Sequence, residues 1–108
     1  MIEVGLEHGE LRSGAPVEWR FTVMNRGAAP ATLAFRSSQR GDVAVGGYRW
    51  SRDRMFLQVL GEETVAPGQA WRFTLEGELD VPPGSYELVA TVTARPELVV
   101  RERVEVAA

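Results

Sequence analysis

The chain contains no cysteine and no lysine, and it has one histidine and one asparagine in 108 residues. Without cysteine there is neither a disulfide framework nor a thiolate to act as nucleophile or metal ligand. With His8 alone, a transition-metal site would need carboxylates for nearly all its ligands, and Ser-His-Asp catalysis could draw on no other residue. The three aspartates, Asp42, Asp53 and Asp80, are scattered, which does not suit calcium. No Gly-x-Ser-x-Gly elbow or glycine-rich phosphate loop is present. Glu62-Glu63 and Glu76/Glu78 read as solvated turn or strand carboxylates. The expectation is a non-enzyme without cofactor or metal.

Long apolar runs are missing too: none approaches the roughly 18–20 residues needed to cross a bilayer, so no membrane partner is expected. Met1-Ile2-Glu3-Val4 lacks the basic and apolar regions of a secretory signal, which predicts a cytoplasmic chain unless a signal peptide has been removed. The net charge is −3, a poor balance for neutralising phosphates, so nucleic acid is not an expected partner. Every lysine-or-arginine position is arginine, a bias that GC-rich coding explains as readily as contact formation. Charge is nevertheless uneven. Residues 36–54 hold five arginines against Asp42 and Asp53, leaving the rest of the chain markedly negative.

What is present is period-two alternation. Ile2, Val4 and Leu6 alternate with Glu3, Gly5 and Glu7. Val17, Trp19, Phe21 and Val23 alternate with Glu18, Arg20, Thr22 and Met24, a β-branched and aromatic strand face. Asn25-Arg26-Gly27 then predicts a hairpin turn, with Ala31, Leu33 and Phe35 inward on the returning strand. Val43 and Val45 precede Gly46-Gly47, a two-residue primed turn, and Tyr48 and Trp50 lie on its far arm. Residues 55–60 are an apolar run readable as a short strand or a helical turn. Val65-Ala66-Pro67-Gly68 is a proline–glycine turn before Trp71, Phe73 and Leu75. Tyr86, just past the Pro82-Pro83-Gly84 corner, matches the tyrosine corner of immunoglobulin-like sandwiches. Leu98, Val100, Val104 and Val106 form the last strand, with Glu102 on its apolar face as an edge-strand deterrent.

No segment has helical periodicity. The fold class predicted is all-β: one antiparallel, immunoglobulin-like β-sandwich of about seven to nine strands over residues 1–108. Trp19, Trp71 and Phe73 belong to its core, whereas Tyr48 and Trp50 serve either core or interface. The middle of the chain also holds Arg40-Gly41-Asp42, an integrin-type tripeptide more simply explained by Gly41 allowing a turn that Asp42 caps.

Taken together, Val23-Met24-Asn25, Phe35-Arg36-Ser37-Ser38-Gln39 with Asp42, Trp50-Ser51, Met55-Phe56-Leu57-Gln58, Val65-Ala66-Pro67-Gly68 and Pro83-Gly84-Ser85-Tyr86 resemble the BsuPI-type intracellular proteinase inhibitor family. These are bacterial domains of β-sandwich form, and the resemblance runs from about Val17 to Ala94. Two departures stand out: Gly41 occupies a place where the family pattern has an aromatic residue, and the hairpin turn is reduced to Gly46-Gly47. The resemblance implies a protein partner, a serine protease, met through a loop presented by a rigid scaffold.

Arginine and aromatic residues dominate protein–protein hot spots, which singles out Trp50 with Arg49; loop exposure together with the resemblance adds Arg52, Arg54, Met55 and Phe56 to the candidate partner-binding residues. The best reactive loop is residues 51–56. Met55, Phe56 or Leu57 would suit a large apolar protease pocket; Arg52 or Arg54 would suit a trypsin-like one. The rival reading is a non-inhibitory binding or assembly module that meets its partner through the arginine group. Either version is compatible with a monomer or weak dimer.

Overall fold

The computed structural model describes residues 1–108 and contains ten strands. They are β1 (Ile2–Glu7), β2 (Leu11–Arg12), β3 (Pro16–Asn25), β4 (Ala31–Phe35), β5 (Gly41–Val45), β6 (Tyr48–Arg49), β7 (Gly61–Val65), β8 (Ala70–Glu78), β9 (Gly84–Val92) and β10 (Leu98–Ala107). The architecture is the expected immunoglobulin-like sandwich. The count exceeds the predicted range because β2 and β6 are two-residue strands, too short to show alternation in sequence.

One sheet has the order β1-β3-β8, the other β2-β10-β9-β5-β6, and β4 pairs with β7 as a separate ribbon. All pairings are antiparallel except β2 with β10, a short parallel contact between Leu11-Arg12 and Val106-Ala107. The first sheet brings Trp19, Phe21, Val23 and Leu75 to the core, and the second brings Val43, Val45, Leu88, Ala90, Val92, Val104 and Val106. Register is set by the alternation of β3: slipping it by one residue would exchange Trp19 and Phe21 for Glu18 and Arg20. Phe21 lies opposite Phe73 on β8, their rings stacked at 4.6 Å. Such cross-strand aromatic pairs stabilise a sheet beyond simple area burial.

The corners obey their sequence signals. Tyr86 donates its hydroxyl to the Pro82 carbonyl at 2.7 Å, completing a tyrosine corner. Gly68, at φ +75°, takes the third position of the Ala66–Gln69 turn, closed by Gln69 N–H donating to Ala66 O.

Three expectations require correction. Asn25-Arg26-Gly27 does not close a hairpin: β3 pairs with β1 and β8, and the chain crosses to β4, whose partner is β7. Asn25 is buried rather than at a turn tip, donating its amide to Ala29 O (2.9 Å) and Val65 O (2.8 Å) and accepting from Gly27 N–H. The buried amide thus ties the crossover to the end of β7. Glu102 is not a lone edge deterrent, since His8 Nε2 lies 2.9 Å from its Oε1 and links the end of β1 to β10. Residues 55–60 form neither strand nor helical turn.

Candidate functional site

The site is built around a buried carboxylate. Asp42 lies on β5, 8% exposed, where an unpaired charge would be strongly unfavourable. It is fully engaged instead. Its Oδ1 accepts from Val43 N–H (2.9 Å) and Ser51 N–H (3.0 Å), and its Oδ2 accepts from Ser51 Oγ (2.7 Å) and Arg49 Nη1 (3.2 Å). Asp42 therefore anchors the chain where it leaves the β5–β6 turn, through charge-assisted bonds. The same geometry disposes of the adhesive tripeptide: Gly41 and Asp42 are buried within a paired strand, not displayed on a turn.

Beyond the turn, the aromatic residues are locked to the opposite sheet. Tyr48 accepts from Trp19 Nε1 at 3.3 Å, giving that fully buried indole its hydrogen bond. Burial raises the Tyr48 phenol above its ordinary value; the Trp19 hydrogen bond and nearby Arg54 oppose this and Asp42 reinforces it. Trp50 donates Nε1 to Glu76 O on β8 at 2.9 Å. Arg54 lies over the Trp50 ring at 4.2 Å and donates to both Trp50 O (2.7 Å) and Glu76 O (2.9 Å). Arg52 donates to Gly47 O at 2.8 Å, and Asp53 adopts a left-handed φ of 63° at the bend between them. Phe56 is half-buried against Trp50, ring centres 5.8 Å apart.

A second anchor lies further along the chain. Leu57 N–H donates to Ser38 Oγ and Ser38 N–H donates to Leu57 O, both at 2.9 Å. The strand side of that anchor is itself fixed, because Gln39 donates to Gly41 O and Thr93 Oγ1 donates to Gln39 O. Between and beyond the two anchors, apolar side chains face water: Met55 is 98% exposed, Leu57 69%, Val59 52% and Leu60 87%.

The structure thus gathers all six candidate residues into one region but divides them. Arg49, Trp50, Arg52, Arg54 and Phe56 are held by internal contacts, while Met55 touches almost nothing. Ser38 and Asp42 belong to the Ser-Ser-Gln-x-x-Asp motif; the expected turn at Gly41 capped by Asp42 is replaced by a paired strand from which Asp42 holds Ser51, and the sequence offers no role for Ser38. Leu57 is an expected pocket-filling residue and is indeed exposed, whereas Val59 and Leu60 carry no expectation, because periodicity does not distinguish a short exposed apolar run from a buried one. Gly41 has a steric reason: a Cβ there would lie 2.8 Å from the Phe73 ring on β8, which leaves no room for a larger residue.

No group of three or more His, Asp and Glu side chains could hold a metal ion, and no helix is long and apolar enough to cross a membrane. What the region offers is a fixed surface of contact: a braced turn that leads into an exposed apolar segment. The exposed apolar segment thus stands on a β-sandwich scaffold, and fold alone does not assign it a role. Comparison is more specific, since the model of the BsuPI family, described as intracellular proteinase inhibitor, matches residues 4–97. The chain belongs to that family.

Among solved structures the chain is similar to the sporulation control protein Spo0M from Bacillus subtilis, with 19% identity and a TM-score of 0.56, covering 99% of this chain and 49% of that one. It is also similar to β-glucosidase from Listeria innocua, with 15% identity and a TM-score of 0.54. That match covers all of this chain but only 16% of the enzyme, about a sixth of its length, and shows the fold alone. No curated protein matches the chain by sequence.

Proposed function

We propose that this chain inhibits a serine protease by occupying its substrate cleft with the segment around residues 51–60, acting by obstruction rather than chemistry. The observation that carries this reading is the pair of anchors, Asp42 on Ser51 and Ser38 on Leu57, which hold an otherwise exposed apolar segment on a rigid sandwich. A pre-organised segment loses little conformational freedom on binding, so more of its contact energy appears as affinity. Family membership supports a proteinase as partner, and the anchored loop is compatible with binding by obstruction.

The rival arginine-led module draws less support from the side chains. Arg49, Arg52 and Arg54 donate to groups of this chain, and Arg40 lies 4.3 Å over the Phe35 ring while donating to Ser37 O. Their internal contacts account for these groups without an external partner.

The test replaces residues 52–57 with Gly/Ser and titrates wild type and variant against subtilisin-like and trypsin-like enzymes. Stoichiometric inhibition by wild type and none by the variant is expected. Inhibition that survives the replacement would move the contact elsewhere on the sandwich.

A further inference from the structure

We propose that Met55 is the residue that fills the primary specificity pocket of the target protease, and that its thioether makes inhibition sensitive to oxidation. The assignment rests on the inhibitor reading above and narrows it to one side chain.

Neighbouring residues could compete for the role, and each is committed elsewhere. Arg54 is held by two backbone carbonyls and the face of Trp50, so inserting it into a pocket would abandon all three contacts. Arg52 is bonded to the β5–β6 turn through Gly47 O. Phe56 is half-buried on Trp50. Leu57 is exposed, but its backbone N–H donates to Ser38 Oγ and its C=O accepts from Ser38 N–H, so its only main-chain donor is already engaged and the strand-like pairing an enzyme would make is obstructed there. Met55 alone combines a side chain 98% exposed with a place between the two anchors. Its unbranched, polarisable side chain fits a deep apolar pocket and tolerates irregular walls. The target predicted is therefore an enzyme that accepts large apolar side chains, not an arginine-directed one.

The same exposure leaves the sulfur open to peroxides. One oxygen atom passes from hydrogen peroxide to the thioether, giving the sulfoxide and water; sulfur loses two electrons and the peroxide gains them. The product is polar and chiral, and methionine sulfoxide reductases can reverse it. A polar sulfoxide buried in an apolar pocket would lack a partner. Oxidation is thus expected to release the protease.

The experiment titrates a subtilisin-like and a trypsin-like protease with wild type, Met55→Leu, Met55→Asp and Met55→Arg, each checked for an unchanged melting temperature. Wild type and Met55→Leu should inhibit the subtilisin-like enzyme similarly. Met55→Asp should bind it about 10²-fold more weakly, and Met55→Arg should transfer inhibition to the trypsin-like enzyme. Hydrogen peroxide should weaken wild type but spare Met55→Leu, which keeps Met1 and Met24 as internal controls.

If Met55→Asp inhibits as well as wild type while the Gly/Ser loop does not, the loop reading stands and the Met55 assignment is overturned. Equal peroxide loss in wild type and Met55→Leu would overturn the oxidation claim. Wild type without effect on either enzyme would remove the inhibitor reading itself, and the assignment with it.

Discussion

Residues 48–54 and residues 55–60 are adjacent in the chain and opposite in physics. In the first stretch nearly every polar group and ring is consumed internally: Tyr48 satisfies Trp19, Trp50 and Arg54 grip β8, and Ser51 hangs from Asp42. In the second, apolar side chains stand in water and Ser38 is the main restraint. A polar, arginine-rich stretch can be structural while an apolar one stands exposed, the reverse of what composition suggests. Single exposed apolar residues need no explanation, but several in succession on a braced segment do.

The contrast can be broken most severely at Asp42. Asp42→Ala should leave the Ser51 N–H and hydroxyl without their acceptor and cost about 3 kcal/mol, with loss of inhibition at a protein concentration where the fold persists. Denaturant unfolding beside a protease titration would check both, and an unchanged midpoint would deny Asp42 its anchoring role.

Tyr48 gives a smaller, pH-dependent effect. Its folded-state value is raised above 10.0, so the fold favours the neutral phenol. The associated stability is fully present below the unfolded value and is lost as pH rises through the higher folded one. Wild type should therefore lose stability more steeply than Tyr48→Phe as pH rises above the ordinary tyrosine value of about 10, although the variant starts about 1 kcal/mol less stable because Trp19 Nε1 loses its acceptor. Parallel slopes in thermal melts across that range would contradict the linkage.

Met55→Ser marks the other end of the scale. It should change unfolding free energy by less than about 0.5 kcal/mol, as expected of a surface substitution, while inhibition falls sharply. A large drop in stability would mean that Met55 packs after all.

The fold is largely legible in the sequence because period-two alternation, proline–glycine corners and the tyrosine corner are local signals that the structure keeps. Asn25 misleads because a buried asparagine and a turn asparagine look alike in sequence; the difference lies in Val65, forty residues on, which accepts its amide. The site is half legible. Motif residues Ser38 and Asp42 are visible as a pattern, but their function is to hold Leu57 and Ser51, contacts that spacing alone does not reveal. Likewise the arginine group reads as an exposed patch because guanidinium partners here are largely backbone carbonyls, which leave no complementary residue type to notice.

The two anchors also bear on the outcome of a proteolytic cut within the proposed contact segment. A break at the Met55–Phe56 peptide bond would leave Ser51 fastened to Asp42 on one side and Leu57 fastened to Ser38 on the other. The new amine and carboxylate would remain neighbours at high effective concentration, so little freedom would be released by the cut and rejoining would stay favourable. Nicked and intact chains would then be near-equal in free energy, and damage at the point of contact would not free the enzyme.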